Sequence, residues 1–157
     1  MASSDLVQYL SAKDRSTGAS STGASDRRVV ETFLAGGDIT AGDIVCFDTS
    51  QTGADRIVYV VKADSGSAAT HQAIGVCLDT IDVSEVSDFR VQVVVKGYVE
   101  GANVANAVST VGALLNASTT AGRAAAYQAA DTEAPFAQAL EAASGNTADI
   151  FVLGVFS

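Results

Sequence analysis

The run FRVQVVVK at residues 89–96 is the clearest strand signal in the chain, and it ends at Gly97. Three similar runs precede it: IVCF at 44–47, RIVYVV at 56–61 and IGVCL at 74–78. Each run is short, rich in β-branched residues and bounded by Gly, Asp, Ser or Thr, which is typical of strands joined by turns. The sequence therefore predicts an all-β body.

The second half of the chain repeats this order in weaker form. Four pairs of segments correspond: 41–45 with 111–115, 56–64 with 123–131, 72–78 with 135–140, and 94–98 with 152–156. The alanine-rich residues 121–144 have high helix propensity, but their correspondence with β-rich segments favours strands. We expect a small β-barrel or sandwich-like body whose strand order is internally repeated.

Composition divides the chain into an extended N-terminal arm at 1–34 and a β-rich body at 35–157. The repeated halves of the body span approximately 36–101 and 104–157. Within the arm, the pentapeptide STGAS occurs twice in tandem at 16–25. Ser, Thr, Gly and Ala bury little apolar surface, so this stretch is predicted to be a flexible linker.

The arm also carries the residues that we expect to contact a partner. An apolar cluster precedes the linker and basic residues flank it; the candidates are Leu6, Val7, Tyr9, Leu10, Arg15, Arg27 and Arg28. Ordering such a segment costs conformational entropy, which only wide contacts can offset. The pattern predicts an arm that reaches across an acidic or polar partner surface; the alternative is a disordered terminus without a partner.

The charge and hydropathy of the chain favour a protein of an assembly and argue against nucleic-acid binding and a membrane span. Charged residues make up 17% of the chain, below the roughly 25% of an average domain, so much of the surface is uncharged, as in proteins that live in assemblies. The net charge of −9 argues against a nucleic-acid partner. No apolar run approaches the length of a membrane span, and the first ten residues lack the basic region of a signal peptide.

Candidate catalytic and redox residues are few. His71 is the single histidine, and no Gly-x-Ser-x-Gly elbow accompanies it, so we interpret it as a loop residue. Cys46 and Cys77 sit in similar strands, where we expect reduced thiols that pack as small hydrophobes. A disulfide between them is the less favoured alternative, and a zinc site would need two further ligands.

Three polar motifs have both a chemical and an ordinary interpretation. Acidic residues recur in one segment, at Asp79, Asp82, Glu85 and Asp88, which suits either calcium or a solvated connection; we favour the connection. Lys62 stands at a strand end, as in lipoyl and biotinyl carriers, but without their flanking residues. Asn116 begins a glycosylation triplet that matters only in a secreted protein. We assign no catalytic, metal or cofactor residue and expect no enzymatic activity.

The order of motifs resembles a known family. The segments that carry the resemblance are GDIVCFD at 42–48, IGVCLD at 74–79, VVVKG at 93–97, VGALLNA at 111–117, TTAGR at 119–123, APFAQALEAASG at 134–145 and IFVLGVF at 150–156. Across roughly residues 36–156 the chain resembles the capsid decoration, or cement, proteins of tailed bacteriophages. It is similar to their small two-part β-proteins and, more distantly, to the lambdoid head-decoration proteins, in which an arm precedes a β-rich body.

This resemblance implies a non-enzymatic protein on the outer capsid surface of a virion, made in the host cytoplasm. It implies a homotrimer that binds the major capsid protein and bridges neighbouring capsomers, with no cofactor, nucleic acid or membrane involved. The main alternative is another virion component, such as a head-fibre base or a tail protein. A small β-barrel carrier using Lys62, or a hydrolase using His71, comes third.

Overall fold

The computed structural model describes residues 28–67, 72–131 and 133–154. These residues are nearly all β, with 43% in strands and 4% in helix, which confirms the predicted fold class. The strands are β1 (Val29–Ala35), β2 (Ile44–Phe47), β3 (Tyr59–Lys62), β4 (Gly75–Cys77), β5 (Arg90–Asn103), β6 (Leu114–Ala117), β7 (Ala124–Ala126), β8 (Ala137–Ala139) and β9 (Thr147–Val152). A short 3-10 helix, Gly53–Ile57, lies between β2 and β3. Among the described residues, no helix is long and apolar enough to cross a membrane.

The first five strands close into a barrel. Their order is β1-β3-β2-β4-β5, and β5 pairs back with β1. Neighbours are antiparallel except β1 and β3, which run parallel where Leu34 pairs with Tyr59 and Ala35 with Val60. A closed sheet of this kind leaves no unpaired edge.

Both faces of several strands in this barrel are buried. Val45 and Val93 belong to the barrel interior, whereas Ile44, Val76 and Val94, on the opposite faces, belong to a second core. That second core also contains the interior of the other half of the chain. Burial on both faces explains why these strands are nearly continuous apolar runs in the sequence.

The sequence pattern predicted that the strand beginning near residue 89 ends at Gly97, but strand β5 is longer. It continues to Asn103, and its C-terminal part pairs with β9 from Gly97 onward. Glycine is suited to this position because its φ is 111°, a region that other residues rarely adopt. The same strand therefore serves both halves of the chain.

The second half repeats the pattern of the first. Its order is β5-β9-β8-β6-β7, and a parallel bridge between Val104 and Ala124 brings the two ends of this sheet together. This bridge stands where the parallel pairing of β1 with β3 closes the first barrel. Loop bonds are repeated as well: the N–H of Gly42 donates to Cys77 at 2.8 Å, and that of Gly112 donates to Ala139 at 2.8 Å.

The register of the repeat differs from the sequence alignment in one region. The sequence alignment matched Lys62 with Ala129. In the structure Lys62 pairs with Val45 and Ala126 pairs with Leu115, so the residue equivalent to Lys62 is Ala126. The 3-10 helix lengthens the β2–β3 connection relative to the β6–β7 turn, which displaces an alignment anchored on the preceding arginines. The alanine-rich region nevertheless contains strands β7 and β8, as its correspondence with β-rich segments predicted.

The predicted arm, 1–34, overlaps the first strand. Residues from Val29 onward form β1, and Phe33 is buried inside the first barrel. Strand β1 pairs with both β3 and β5, so the barrel cannot close without it. The body therefore begins at Val29 and not at residue 35.

Two truncations test this boundary. Deleting residues 1–27 removes no described strand, so we expect a β-type circular dichroism spectrum and cooperative unfolding in urea. Extending the deletion to residue 34 removes β1. Losing the Phe33 side chain alone costs about 3–5 kcal/mol, comparable with the roughly 5–15 kcal/mol that stabilises a whole domain. We expect the longer deletion to abolish cooperative unfolding; equal stability of the two truncations would contradict the assignment of β1 to the barrel.

Candidate functional site

All but one of the predicted interface residues lie outside the described part of the chain: Leu6, Val7, Tyr9, Leu10, Arg15 and Arg27. His71 also lies outside it. The remaining candidate, Arg28, is exposed immediately before β1. The described residues thus place one cation of the predicted arm where the first barrel begins.

The two cysteines are buried free thiols on opposite faces of the first barrel. Cys77 points into the barrel interior, and Cys46 belongs to the second core. Burial raises the pKa of Cys46 to about 12 and that of Cys77 to about 11. Because the thiolate is the reactive form, both groups are poor nucleophiles at neutral pH.

We therefore expect neither cysteine to react with a thiol-specific reagent at pH 8 while the protein is folded. Both should react after denaturation, because the unfolded thiols regain an ordinary pKa near 8.5. The absorbance of released thionitrobenzoate measures the two reactions. Rapid stoichiometric labelling of the native protein would show that one thiol is accessible.

The carboxylates of the acidic segment between β4 and β5 are directed to separate partners. Asp79 accepts the backbone N–H of Gln92 at 2.6 Å, and Asp82 accepts the N–H two residues further along its own turn. Asp88 forms an exposed ion pair with Arg90, whose hydrogen bonds lower the pKa of this carboxyl to about 2. Across the ranges that the structure covers, no three His, Cys, Asp or Glu side chains are grouped to hold a metal ion.

The junction between the two halves is built around the carboxylate of Asp43, which is 5% exposed. It accepts the side-chain amide of Asn103 at 2.9 Å and the backbone N–H of Thr40 at 2.8 Å. The ammonium of Lys62 lies 3.0 Å from it. A carrier lysine must project freely from a hairpin turn, whereas Lys62 lies within β3 and is paired.

The β6–β7 turn inserts Gly122 beside this carboxylate. The N–H of Gly122 donates to Ala63 at 2.9 Å, and its carbonyl accepts the N–H of Ile44 at 2.9 Å. The backbone of one residue of the second half thus bridges the start of β2 and the residue that follows β3. A Cβ at Gly122 would lie 2.8 Å from a carboxylate oxygen of Asp43, and the φ of Gly122 is +79°.

Replacing this glycine tests the junction. Gly122→Ala should lose about 1–2 kcal/mol from its positive φ and a further ~1–3 kcal/mol from overpacking against Asp43. Gly53→Ala is the matched control, because Gly53 has a φ of +61° with nothing within 4 Å of an added Cβ. Urea denaturation of both variants measures the difference. Equal losses at the two positions would mean that the junction is loosely packed.

In the glycosylation triplet, the side chains of Asn116 and Ser118 form hydrogen bonds within the protein. Asn116 is 4% exposed, and its amide donates to Asp131 at 3.0 Å. The hydroxyl of Ser118 accepts the backbone N–H of Thr120 at 3.1 Å. An open cavity of about 420 Å³ lies beside these residues, but the Asn116 amide is already engaged and is not presented to a modifying enzyme.

The β2–β3 connection, residues 48–58, is an exposed loop held by an internal carboxylate. Burial alone would raise the pKa of Asp48, but hydrogen bonds from Ser50 and Gln51 hold it below its usual value. At the far end of the loop, Ile57 is 66% exposed and Val58 is 38% exposed. The loop at this end of the first barrel therefore exposes two apolar side chains.

The outer surface of the second half carries a larger apolar group, which we name the outer patch. Its members are Val111, Leu114, Leu140, Phe151 and Leu153; all but the half-buried Phe151 are at least 40% exposed. The patch is not purely apolar, because Gln138 lies between Leu114 and Phe151 in the strand register. Sequence analysis missed this patch, although the repeat alignment already matched Leu114 with Ile44 and Leu140 with Leu78.

A tyrosine lies on the outer face beside this patch, where Tyr98 pairs with Phe151 across β5 and β9. Its hydroxyl donates to Asp149 at 2.5 Å, and this bond raises the pKa of Tyr98 to about 12. The second oxygen of Asp149 accepts the N–H of Gly101 at 3.0 Å. The hydrogen-bonded side chains of Tyr98 and Asp149 therefore form a polar border beside the outer patch.

No protein-family model and no curated protein match the chain. Among solved structures, the fold is similar to that of the N base of head fiber gp8.5 of bacteriophage phi29. The TM-score is 0.51 at 18% sequence identity, over 80% of this chain and 93% of the phage chain. A likeness at this identity shows a shared fold that spans nearly the whole of the phi29 fragment.

Proposed function

We propose that the chain is a structural protein of a bacteriophage virion. The observation that carries this proposal is the fold shared with the phi29 head-fiber base, which extends over 80% of this chain. The motif order described above also resembles that of phage decoration proteins. Two different kinds of similarity thus lead to proteins of the phage head.

Within that class, our finer proposal is a decoration protein on the outer capsid surface. In this role a homotrimer would bind the major capsid protein and bridge neighbouring capsomers through many weak contacts, so that avidity replaces a deep pocket. The arm residues Leu6, Val7, Tyr9, Leu10, Arg15, Arg27 and Arg28 are the proposed contacts. Arg28 is exposed at the point where the arm meets the body, which suits this arrangement.

A head-fibre base is the second candidate, and the fold likeness favours it equally, because the similar structure is itself a head-fiber base. Both roles need a compact body attached to a shell, and neither needs catalysis. The engagement of Lys62 with Asp43 and the burial of both thiols support a non-enzymatic protein in either case.

Binding to capsids tests the proposal. Particles assembled from the major capsid protein of the same genome are mixed with the full chain and sedimented through sucrose. We expect the full chain to co-sediment and to raise the temperature at which particles disrupt. Deleting residues 1–27, or replacing Arg27 and Arg28 by Glu, should weaken binding at least about tenfold, since several contacts act together. Arg90→Glu is the matched control, because Arg90 is an exposed cation of the body outside the arm, the β2–β3 connection and the outer patch.

Cryo-electron microscopy of the same particles separates the two candidates. A compact density that this chain fills completely indicates decoration, whereas a density from which another protein extends indicates a fibre base. Failure of the full chain to bind particles would contradict both roles on the head.

A further inference from the structure

The outer patch lies close to the point where the arm joins the body. Strand β1 begins at Val29, which pairs with Lys96 of β5. The end of β9 lies on the other side of Lys96, because a Cβ at Gly154 would be 3.4 Å from the Cδ of this lysine. Leu153, a member of the patch, immediately precedes Gly154. The width of one strand, β5, therefore separates the start of β1 from the near edge of the patch.

From this edge the patch extends over the sheet of the second half. A row of cross-strand neighbours runs from Tyr98 on β5 through Phe151 on β9 and Gln138 on β8 to Leu114 on β6. The amide of Gln138 donates to the carbonyl of Gly112 at 3.0 Å, so this polar side chain already has a partner. Adjacent strands are about 4.8 Å apart, so β6 lies four spacings, or about 19 Å along the surface, from β1. The whole patch is thus within about 19 Å of the arm.

The length of the arm matches this distance. Residues 11–27, which are mostly Ser, Thr, Gly and Ala, separate the apolar cluster at 6–10 from Arg28. A flexible chain of these 17 residues spans about 21–25 Å on average. A tethered segment binds best when its linker matches the span, and its effective concentration is then about 1 mM. A contact with a Kd of about 0.1 mM would therefore keep roughly nine of ten molecules docked.

The arm and the body also differ in charge. Residues 1–28 hold four basic and three acidic side chains, whereas the rest of the chain holds five basic and fifteen acidic ones. At the border of the patch, Glu141 accepts the backbone N–H of Asp149 at 3.1 Å, so two carboxylates lie together there. In the arm, Lys13 and Arg15 follow the apolar cluster. An apolar segment followed by cations thus complements an apolar patch with an acidic border.

We propose that, in the free protein, the outer patch binds the apolar cluster of its own arm: Leu6, Val7, Tyr9 and Leu10. The contact covers the exposed side chains of the patch and brings the cations that follow the cluster to the acidic border. The same four side chains are proposed above as capsid contacts, so the patch holds them until a capsid competes for them. This inference goes beyond the virion role, because it concerns the free chain and needs no capsid.

A single tryptophan tests the docking, because the chain contains none of its own. In a folded Tyr9→Trp chain, we expect an emission maximum at shorter wavelength than in the same chain unfolded in urea, since docking removes the indole from water. Adding Leu114→Glu places a carboxylate in the apolar contact without a partner. This change should lower the ratio of docked to free molecules at least about tenfold and move the emission toward the unfolded value. Leu140→Glu is the second patch variant if Leu114→Glu does not fold.

Val86→Glu in the Tyr9→Trp chain is the matched control. Val86 is 40% exposed, close to the 41% of Leu114, but it lies in the acidic segment outside the patch. Its emission should equal that of the Tyr9→Trp chain. Replacing Lys13 and Arg15 by Glu should move the emission to longer wavelength, because like charges then meet at the acidic border.

Three results would overturn the proposal: an unfolded-like emission maximum in the folded Tyr9→Trp chain, an unchanged maximum in both patch variants, or an equal shift in Val86→Glu. If the short-wavelength emission is lost on dilution and sedimentation velocity shows dimers, the occupant is the arm of a second copy and docking within one chain is wrong. All of these measurements are made without capsids. Failure here is therefore distinguishable from failure of the virion role, which co-sedimentation tests.

Discussion

Strand β5 pairs with β1 and β4 through its first part and with β9 through its second, so two sheets have one strand in common. This sharing couples the halves at the level of backbone hydrogen bonds. It also requires both faces of the strand to be apolar near Val93 and Val94, which belong to different cores. The remaining strands take their places relative to β5, and Gly97 allows the chain to pass from one sheet to the other.

The side-chain contacts around Asp43, beside β5, also join the two halves. A buried carboxylate is stable only when its lone pairs are satisfied, and Asp43 obtains this from Asn103, Thr40 and Lys62. Two of these three partners come from elements other than its own turn. Gly122 then fills the remaining space with backbone alone.

Several of the polar and titratable groups named in the sequence analysis have structural partners within the described residues. The thiols are buried, Asp79 and Asp88 of the acidic segment bind residues of β5, and Lys62 is paired with the buried Asp43. Two regions of the described chain expose large apolar side chains: the outer patch and the end of the β2–β3 connection. Under the proposed virion role, these side chains and the predicted arm are the candidate contacts.

The sequence by itself determined the class of fold, the approximate places of β2, β4 and the first part of β5, and the existence of a repeat, because alternation and turn residues act locally. It also indicated reduced, buried cysteines from their place in apolar strands. The tertiary structure alone decided that β1 belongs to the barrel, that β5 crosses Gly97, and that Lys62 corresponds to Ala126. Likewise, Ile44 and Leu114 occupy equivalent places in similar strands, yet one is buried and the other exposed. Which of two equivalent faces is covered depends on how distant parts of the chain pack, and local sequence does not encode that.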